Sequence, residues 1–261
     1  MVWKGVPMKK LLFIVNPRAG KTKSRAPLFD AVAQFSRAGY LVRVYITEAG
    51  GQARDITARW GGQYDMVVCA GGDGTLNETI NGLAQANRPI NFGFIPLGTV
   101  NDLARALRIP LHPEAAIAML KHCKTTKVDI ARANDCYFVN TIAAGIMPEA
   151  VGHVSIEQKT RLGPLAYFLT GIKALQNHQT SLFKIETDDG KMIYRSPLLV
   201  AMLTSSVGSF RNIAPQARVD DGKIWLAVFK DFTYLDLLKL VPEFLAGAPL
   251  SSEYMTLMTT T

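Results

Sequence analysis

At 261 residues and 48% hydrophobic composition, the chain is long enough for one large core or two modest ones, and two are expected. Its formal charge is +8, all of it carried by the first half: residues 1–135 hold 18 Lys and Arg against 10 Asp and Glu, and the remainder 11 against 11. A basic half gathers anions such as a nucleotide or acidic lipid headgroups, while the lack of zinc-ligand spacing and of a dense Lys/Arg tract interleaved with aromatics argues against nucleic acid.

Taken in chain order, the first half alternates short apolar runs with amphipathic stretches, the pattern of a parallel sheet with crossover helices. Strands are expected at Leu11 to Val15, Leu41 to Thr47, Met66 to Cys69, Phe92 to Ile95 and Thr126 to Arg132. Helices are expected near 25–38, 52–60, 75–86, 99–107 and 113–122. After about residue 133 the period shortens to two, with runs at Cys136 to Ala143, Ser181 to Thr187, Lys191 to Leu203 and Lys223 to Phe229, separated by Asp-Asp-Gly turns at 188–190 and 220–222. Helices are expected near 164–176 and 233–246. The fold class is therefore α/β, an N-terminal open parallel-sheet domain over 1–132 followed by a β-rich, sandwich-like second domain over 133–261.

The three cysteines, Cys69, Cys123 and Cys136, are odd in number and form no CxxC pair, which fits a reduced, cytoplasmic setting. Lys9-Lys10 precedes only Leu11 to Val15 before Asn16-Pro17, too short a core for a signal peptide. No uncharged apolar stretch approaches the length of a membrane span, so any membrane contact is expected to be peripheral. The histidines sit at no metal-ligand spacing.

Open α/β sheets place ligands beyond the carboxyl ends of their strands, and three polar turns follow strands here. The richest is Gly71-Gly72-Asp73-Gly74-Thr75-Leu76-Asn77-Glu78, where glycines allow close approach to the backbone and a helix start offers N–H groups to an anion. Asp73 would repel a bare phosphate, so a carboxylate in this turn makes sense when a divalent cation lies between them. The turn reads as a site for a metal nucleotide. Asn16-Pro17-Arg18-Ala19-Gly20, with Lys21 and Lys23 close by, is either a phosphate contact or a plain turn. Pro96-Leu97-Gly98-Thr99-Val100-Asn101-Asp102 begins a helix that Thr99 or Asn101 could cap, with Asp102 in its first turn. Two other loops are excluded: Val15 stands where a Walker A loop needs its first glycine, and Asn77 where a dinucleotide fingerprint needs its third.

Asn16-Pro-x-x-Gly20, Gly71-Gly-Asp-Gly-Thr75 with Glu78, and Pro96-Leu-Gly-Thr-x-Asn-Asp102 followed by Ala104-Arg105, in that order, resemble the diacylglycerol kinase catalytic family, particularly its bacterial soluble lipid kinases. The resemblance covers nearly the whole chain. It implies that Asn16, Pro17, Arg18, Ala19 and Gly20 contact ATP, together with Thr47 and Thr99. It implies the same for Gly71, Gly72, Asp73, Gly74, Thr75, Leu76 and Asn77. Asp73, Asp102 and Asp129 match the family's acidic cluster, which organises Mg²⁺ and water near the transferred phosphate. Phosphoryl transfer is mostly positioning and charge neutralisation, so carboxylates beside a phosphate cradle suit it. In the second half, Ile213-Ala-Pro-Gln-Ala-Arg-Val-Asp-Asp-Gly222 resembles the family's structural metal loop, with the Asp221 side chain and the carbonyls of Arg218 and Lys223 as ligands, a simple hairpin turn being the alternative. Arg161-Leu-Gly-Pro-Leu-Ala-Tyr167 resembles a helix entry of the family, with a packing role.

The implied protein is an ATP- and Mg²⁺-dependent lipid kinase of the cytoplasm, peripheral at the inner face of the membrane, with diacylglycerol the leading acceptor and phosphatidic acid the product. Its β-rich half offers edges through which a homodimer could form. The family pattern continues past a strand like Ser252 to Thr259 into an Asp-Gly-Glu segment that carries a proposed general base, and the sequence ends at Thr261, so no residue is assigned that role. The expectation is either a shortened form of a longer lipid kinase or a nucleotide- and lipid-binding protein with little transfer activity. An NAD kinase-like enzyme is a further alternative, disfavoured by Asn16-Pro-x-x-Gly20 and the Asp220-Asp221-Gly222 loop.

Overall fold

The run Leu11 to Val15 is apolar at every position because it is covered on both faces, as a central strand of a parallel sheet must be. The computed structural model describes residues 8–19, 25–86, 88–120, 124–145, 180–205, 212–230 and 253–261. In it β1 (Lys9–Val15) lies between β2 (Tyr40–Ile46) and β3 (Met66–Gly71), and β4 (Asn91–Pro96) closes a four-stranded sheet in the order β2-β1-β3-β4. All pairings are parallel. Leu11, Phe13 and Val15 pack against Ala31 and Phe35 of helix α1 (Arg25–Arg37) and against Ile117 of α5 (Pro113–Met119). Leu12 and Ile14 face the other way, onto Ala53 of α2 (Gln52–Trp60), Tyr64 and Val67. The rings of Phe13 and Phe35 meet edge to face with centroids 5.7 Å apart. Each such fully buried side chain stabilises the fold by roughly 1.5–3 kcal/mol, an upper estimate because the unfolded chain already buries part of it.

Parallel pairing puts the strand ends on one rim. Val15 is in register with Ile46 and with Ala70, and Gly71 with Pro96. Helix α3 (Asp73–Leu83) leaves that rim after β3, and the short α4 (Asp102–Ala106) after β4. Gly82 is where α3 crosses α2: a Cβ there would collide with the Thr57 hydroxyl and the Arg54 carbonyl.

The chain divides into two compact units, one comprising Met1–Thr126 with Arg132–Phe138 and the other Lys127–Ala131 with Val139–Thr261. In the second, β7 (Thr141–Gly145), β10 (Leu198–Met202), β11 (Ile224–Phe229) and β12 (Met255–Thr260) form an antiparallel sheet in the order β12-β11-β10-β7. Leu198, Val200 and Met202 pack there with Ile213, Trp225, Ala227 and Met255. A separate hairpin joins β8 (Ser181–Thr187) to β9 (Gly190–Ser196). A parallel-sheet α/β half followed by a β-rich half is thus the observed architecture.

Several elements differ from expectation. The run 126–132 adds no fifth strand to the parallel sheet. Only β5 (Ala131–Ala133) forms, and it pairs with β6 (Cys136–Phe138). The cause is Asp129, whose N–H donates to the Val219 carbonyl at 2.7 Å and whose Oδ2 accepts the Gly222 N–H at 2.7 Å, so this stretch bonds to a loop. The run Cys136 to Ala143 is two strands, β6 and β7, interrupted at Val139-Asn140, where the Asn140 carbonyl accepts the Leu203 N–H. Lys191 to Leu203 is also two strands. Pro197, which has no N–H to give a ladder, separates β9 from β10, and the Ser196 hydroxyl donates to the Leu198 carbonyl at 2.8 Å across the break. The helices expected near 164–176 and 233–246, the Arg161–Tyr167 motif and Gly20 lie outside the described residues.

Candidate functional site

Three strand-end turns are tied together by side chains. After β1, the Asn16 N–H donates to the Ala70 carbonyl at 2.9 Å, and its side-chain Nδ2 donates to the Thr75 hydroxyl at 2.8 Å. The same residue holds its own turn, because its Oδ1 accepts the Arg18 N–H at 2.9 Å. After β2, the Thr47 N–H donates to the Val15 carbonyl at 2.9 Å, and its side chain is buried. After β3, Asp73 reaches the turn that follows β4: Oδ2 accepts the Asn101 N–H at 2.8 Å and Oδ1 accepts the Asp102 N–H at 3.0 Å.

That last contact corrects the expected capping of α4. Neither Thr99 nor Asn101 caps it. Asn101 instead sits in the left-handed region (φ 54°), which Asn tolerates better than most residues, and its side chain bridges Gly98, accepting from the N–H and donating to the carbonyl. The cap arrives from Asp73 on another turn. Asn101 and Asp102 are both buried and Asp73 is half-buried, so the carboxylate meets these N–H groups partly shielded from water.

The glycines divide by what surrounds them. A Cβ on Gly98 would lie 2.7 Å from the Gly72 Cα and 2.7 Å from the Asn101 Oδ1, and one on Gly71 would lie 2.6 Å from the Thr75 Cβ. Gly98 is needed for packing of two turns against one another, and Gly71 for the close approach of Thr75 within its own turn. At Gly74 a Cβ would meet nothing within 4 Å. Gly74 is the second residue of an 11-residue helix, and among the described residues no side chain caps that helix at Gly72. The Leu76 N–H donates to the Gly72 carbonyl at 3.0 Å, leaving the amides of Asp73, Gly74 and Thr75 as the first-turn donors. Such a helix start beside open space is suited to an anion, and phosphate chemistry fits it.

The remaining expected residues fall as follows. Leu76 is fully buried and serves the core, while Asn77, Thr99, Pro17 and Arg18 are exposed and Ala19 partly so. Asp129 belongs to the second unit, together with the Asp221 loop. Asp221 accepts the Arg218 N–H at 3.1 Å, the Lys223 N–H at 3.0 Å and the Trp225 indole N–H at 3.2 Å. Partial burial would raise its pKa, but these donors and the Lys223 charge outweigh that and hold it below the ordinary carboxylate value. Oδ2 accepts two of these N–H groups and Oδ1 one, so hydrogen bonds hold the loop around the carboxylate. Among the described residues, no three His, Cys, Asp or Glu side chains converge to hold a metal ion. A nucleotide-borne Mg²⁺ asks for less, since it keeps most of its waters and takes one or two carboxylates beside the phosphates. Asp73 fits that: each of its oxygens accepts a single N–H and has a further lone pair.

One residue of this site escaped the sequence reading. Asn81, on α3, accepts the Tyr137 N–H at 2.7 Å and donates to the Tyr137 carbonyl at 2.7 Å and the Asn77 carbonyl at 2.9 Å, clamping the helix to β6. The signal was an Asn one helical turn after Asn77, inside the amphipathic stretch and next to Gly82. Cys69, inside β3, is fully buried, and burial pushes its thiol pKa up to about 12 against the lowering effect of the Thr79 hydrogen bond.

Comparison with known proteins points to one family. Residues 10–133 match the model of the diacylglycerol kinase catalytic domain, and residues 140–261 match that of the YegS C-terminal NAD kinase beta sandwich-like domain. A diacylglycerol kinase of Staphylococcus epidermidis is 37% identical over 231 residues, covering 88% of this chain and 73% of that protein. One of Staphylococcus saprophyticus is 36% identical, covering 88% and 75%. Two solved Bacillus anthracis chains superpose over 98% of this chain: one with a TM-score of 0.80 at 25% identity, covering 86% of that chain, and one described as a diacylglycerol kinase with a TM-score of 0.78 at 24% identity, covering 85%. On this evidence the chain belongs to the diacylglycerol kinase catalytic family, and with it to the phosphotransferases that use an alcohol acceptor.

Proposed function

We propose that the protein transfers the γ-phosphate of ATP to the hydroxyl of a lipid, diacylglycerol being the acceptor best supported, to give phosphatidic acid and ADP. The observation that carries this reading is the joining of the three turns through Asn16–Thr75 and Asp73–Asn101–Asp102, with Gly74 at the open helix start between them. The names of the similar staphylococcal proteins support the acceptor.

In the reaction, the lipid hydroxyl oxygen bonds to the γ-phosphorus, the bond from that phosphorus to the β–γ bridging oxygen breaks, ADP departs and the hydroxyl proton is released to solvent. The amides of Asp73, Gly74 and Thr75 bind phosphate oxygens, and the turn from Asn16 to Ala19 binds on the neighbouring side, with Thr47 and Thr99 at its margins. Asn16 keeps the Thr75 hydroxyl oriented. Asp73 holds α4 in place and, with Asp102, provides the carboxylates of the site. Bound Mg²⁺ supplies charge neutralisation at the phosphates when the nucleotide carries it. Because fixed donors stabilise the phosphoryl group without reorganising, positioning is the main contribution of these residues.

The test is product identification: incubation with Mg-ATP and diacylglycerol in mixed micelles, followed by mass spectrometry of the lipid. Phosphatidic acid and an equal amount of ADP are expected. ADP with unmodified lipid would contradict the acceptor, and neither product would contradict transfer altogether.

A further inference from the structure

A two-stranded hairpin with one packed face should alternate apolar and polar residues, and β8–β9 departs from that rule at two places. Its inner face carries Phe183, Ile185, Met192 and Tyr194, with Ile185 buried at 7% exposure. Its outer face carries the pairs Leu182–Arg195, Lys184–Ile193 and Glu186–Lys191. All six are exposed, and the two aliphatics are among the most exposed large hydrophobics described, Leu182 at 64% and Ile193 at 65%. A solvated face gains nothing from them, whereas single exposed aliphatics scattered over a surface would need no explanation. Here they sit diagonally across one ladder, each directly opposite a cation.

The charges on this face are resolved by position. Towards the turn, Lys191 pairs with Glu186 at 3.2 Å and is neutralised, and Asp188 of the turn is tied to the N–H and hydroxyl of Thr261, each at 2.8 Å. Asp189 completes an acidic turn. Away from the turn, Lys184 and Arg195 flank the aliphatics; Arg195 donates through Nε to the Thr180 hydroxyl at 2.8 Å, which steers the guanidinium without cancelling its charge. The end of the hairpin remote from the turn is therefore basic and apolar together.

We propose that this outer face, formed by Leu182, Lys184, Ile193 and Arg195, docks the protein onto an anionic lipid bilayer. The complementarity is specific: aliphatic side chains enter the acyl boundary while cations meet anionic headgroups, and the acidic turn lies at the opposite end of the hairpin. A purely electrostatic partner would leave Leu182 and Ile193 unexplained. The inference rests on the reading of the chain as a kinase of membrane lipids.

The experiment is co-sedimentation of the whole protein with phosphatidylcholine vesicles, with and without phosphatidylglycerol, in the wild type, in Leu182→Ser/Ile193→Ser and in Lys184→Glu/Arg195→Glu. All four positions are exposed, and unchanged thermal melting verifies the fold of each variant. The wild type is expected to prefer the anionic vesicles. Charge reversal is expected to lower that binding by about tenfold or more, and the serine variant to weaken binding to both vesicles. Variants that bind as the wild type does, or a wild type that binds neither vesicle, overturn the proposal. Loss of self-association in the serine variant with vesicle binding unchanged would give the face to a second copy of the chain, and likewise overturn it. Turnover on dioctanoylglycerol in detergent micelles, where no bilayer is present, should be the same for all three proteins. Vesicle binding is read without turnover, so a failure of the kinase reading is seen separately, as absent micelle phosphorylation by a wild type that still binds anionic vesicles.

Discussion

The two oxygens of the Asp73 carboxylate each accept one backbone N–H, from Asn101 and from Asp102, so the acidic residue of one strand-end turn fixes the start of the helix that follows another. A single side chain thereby ties the geometry of the turn after β3 to the placement of a second carboxylate, Asp102. Replacing Asp73 with Ala removes both acceptors and the charge. The expected result is a loss of about 1–2 kcal/mol in unfolding free energy, the usual magnitude for a lost cap, together with at least about a tenfold weakening of Mg-ATP binding. Denaturant melts and nucleotide titration measure the two. An unchanged nucleotide affinity would refute the assigned role.

Glycines 74 and 98 should respond in opposite ways. Gly98→Ala pushes a methyl group against the Gly72 Cα and the Asn101 side chain and is expected to cost about 1–3 kcal/mol. Gly74→Ala enters open space in a helix and should leave stability unchanged or raise it by up to about 1 kcal/mol. Yet Gly74→Ala should raise the KM for ATP severalfold or more, because the methyl group takes up room the phosphate needs. Thermal melts set beside KM values separate the two classes of glycine.

Asn81→Ala strips the Tyr137 N–H and carbonyl of their side-chain partner in a part-buried place. A destabilisation of about 1–3 kcal/mol is expected. Hydrogen exchange should show the Tyr137 amide losing protection first. Equal protection in the variant and the wild type would mean that the clamp contributes little.

The buried Cys69 thiol gives a pH prediction. Its pKa stands near 12 in the folded protein against 9.0 as the ordinary value. A raised folded pKa means that the unfolded chain releases this proton first, so the contribution is intact below pH 9 and is lost as pH climbs towards 12. Other groups titrate in that window, so the wild type is compared with Cys69→Ala. Stability of the wild type should fall more steeply above pH 9, by up to about 1.4 kcal/mol per pH unit. In the native state a thiol reagent should label the exposed Cys136 and spare Cys69.

Much of this architecture was legible in the sequence because it is set by local pattern. The four strands of the parallel sheet and the helices after them follow from apolar runs, glycine-rich turns and 3.6-residue periodicity, and the Ser181–Thr187 strand from alternation. What could not be read depends on partners distant in sequence. Asp129 looked like the end of a fifth strand, but its hydrogen bonds go to Val219 and Gly222, some ninety residues away. Asp102 was expected in a helix capped by its own neighbours, and the cap comes from Asp73. Asp221 carries the composition of a metal loop, while three N–H donors surround its carboxylate, an arrangement that turn chemistry alone does not foretell. Asn81 was passed over because a polar residue on a helix is ordinarily solvated, and nothing local announces that β6 will lie against it.

The central claim is that the joined turns form the site of phosphoryl transfer to a lipid hydroxyl, and label transfer tests it most directly. The complete gene product is supplied with γ-labelled ATP, Mg²⁺ and diacylglycerol in mixed micelles, and the label in phosphatidic acid is followed for the wild type and for Asp102→Asn. The account predicts steady labelling of phosphatidic acid by the wild type and a drop of at least about a hundredfold in the variant. No labelled lipid from a folded, ATP-binding wild type, or equal labelling by Asp102→Asn, would contradict it.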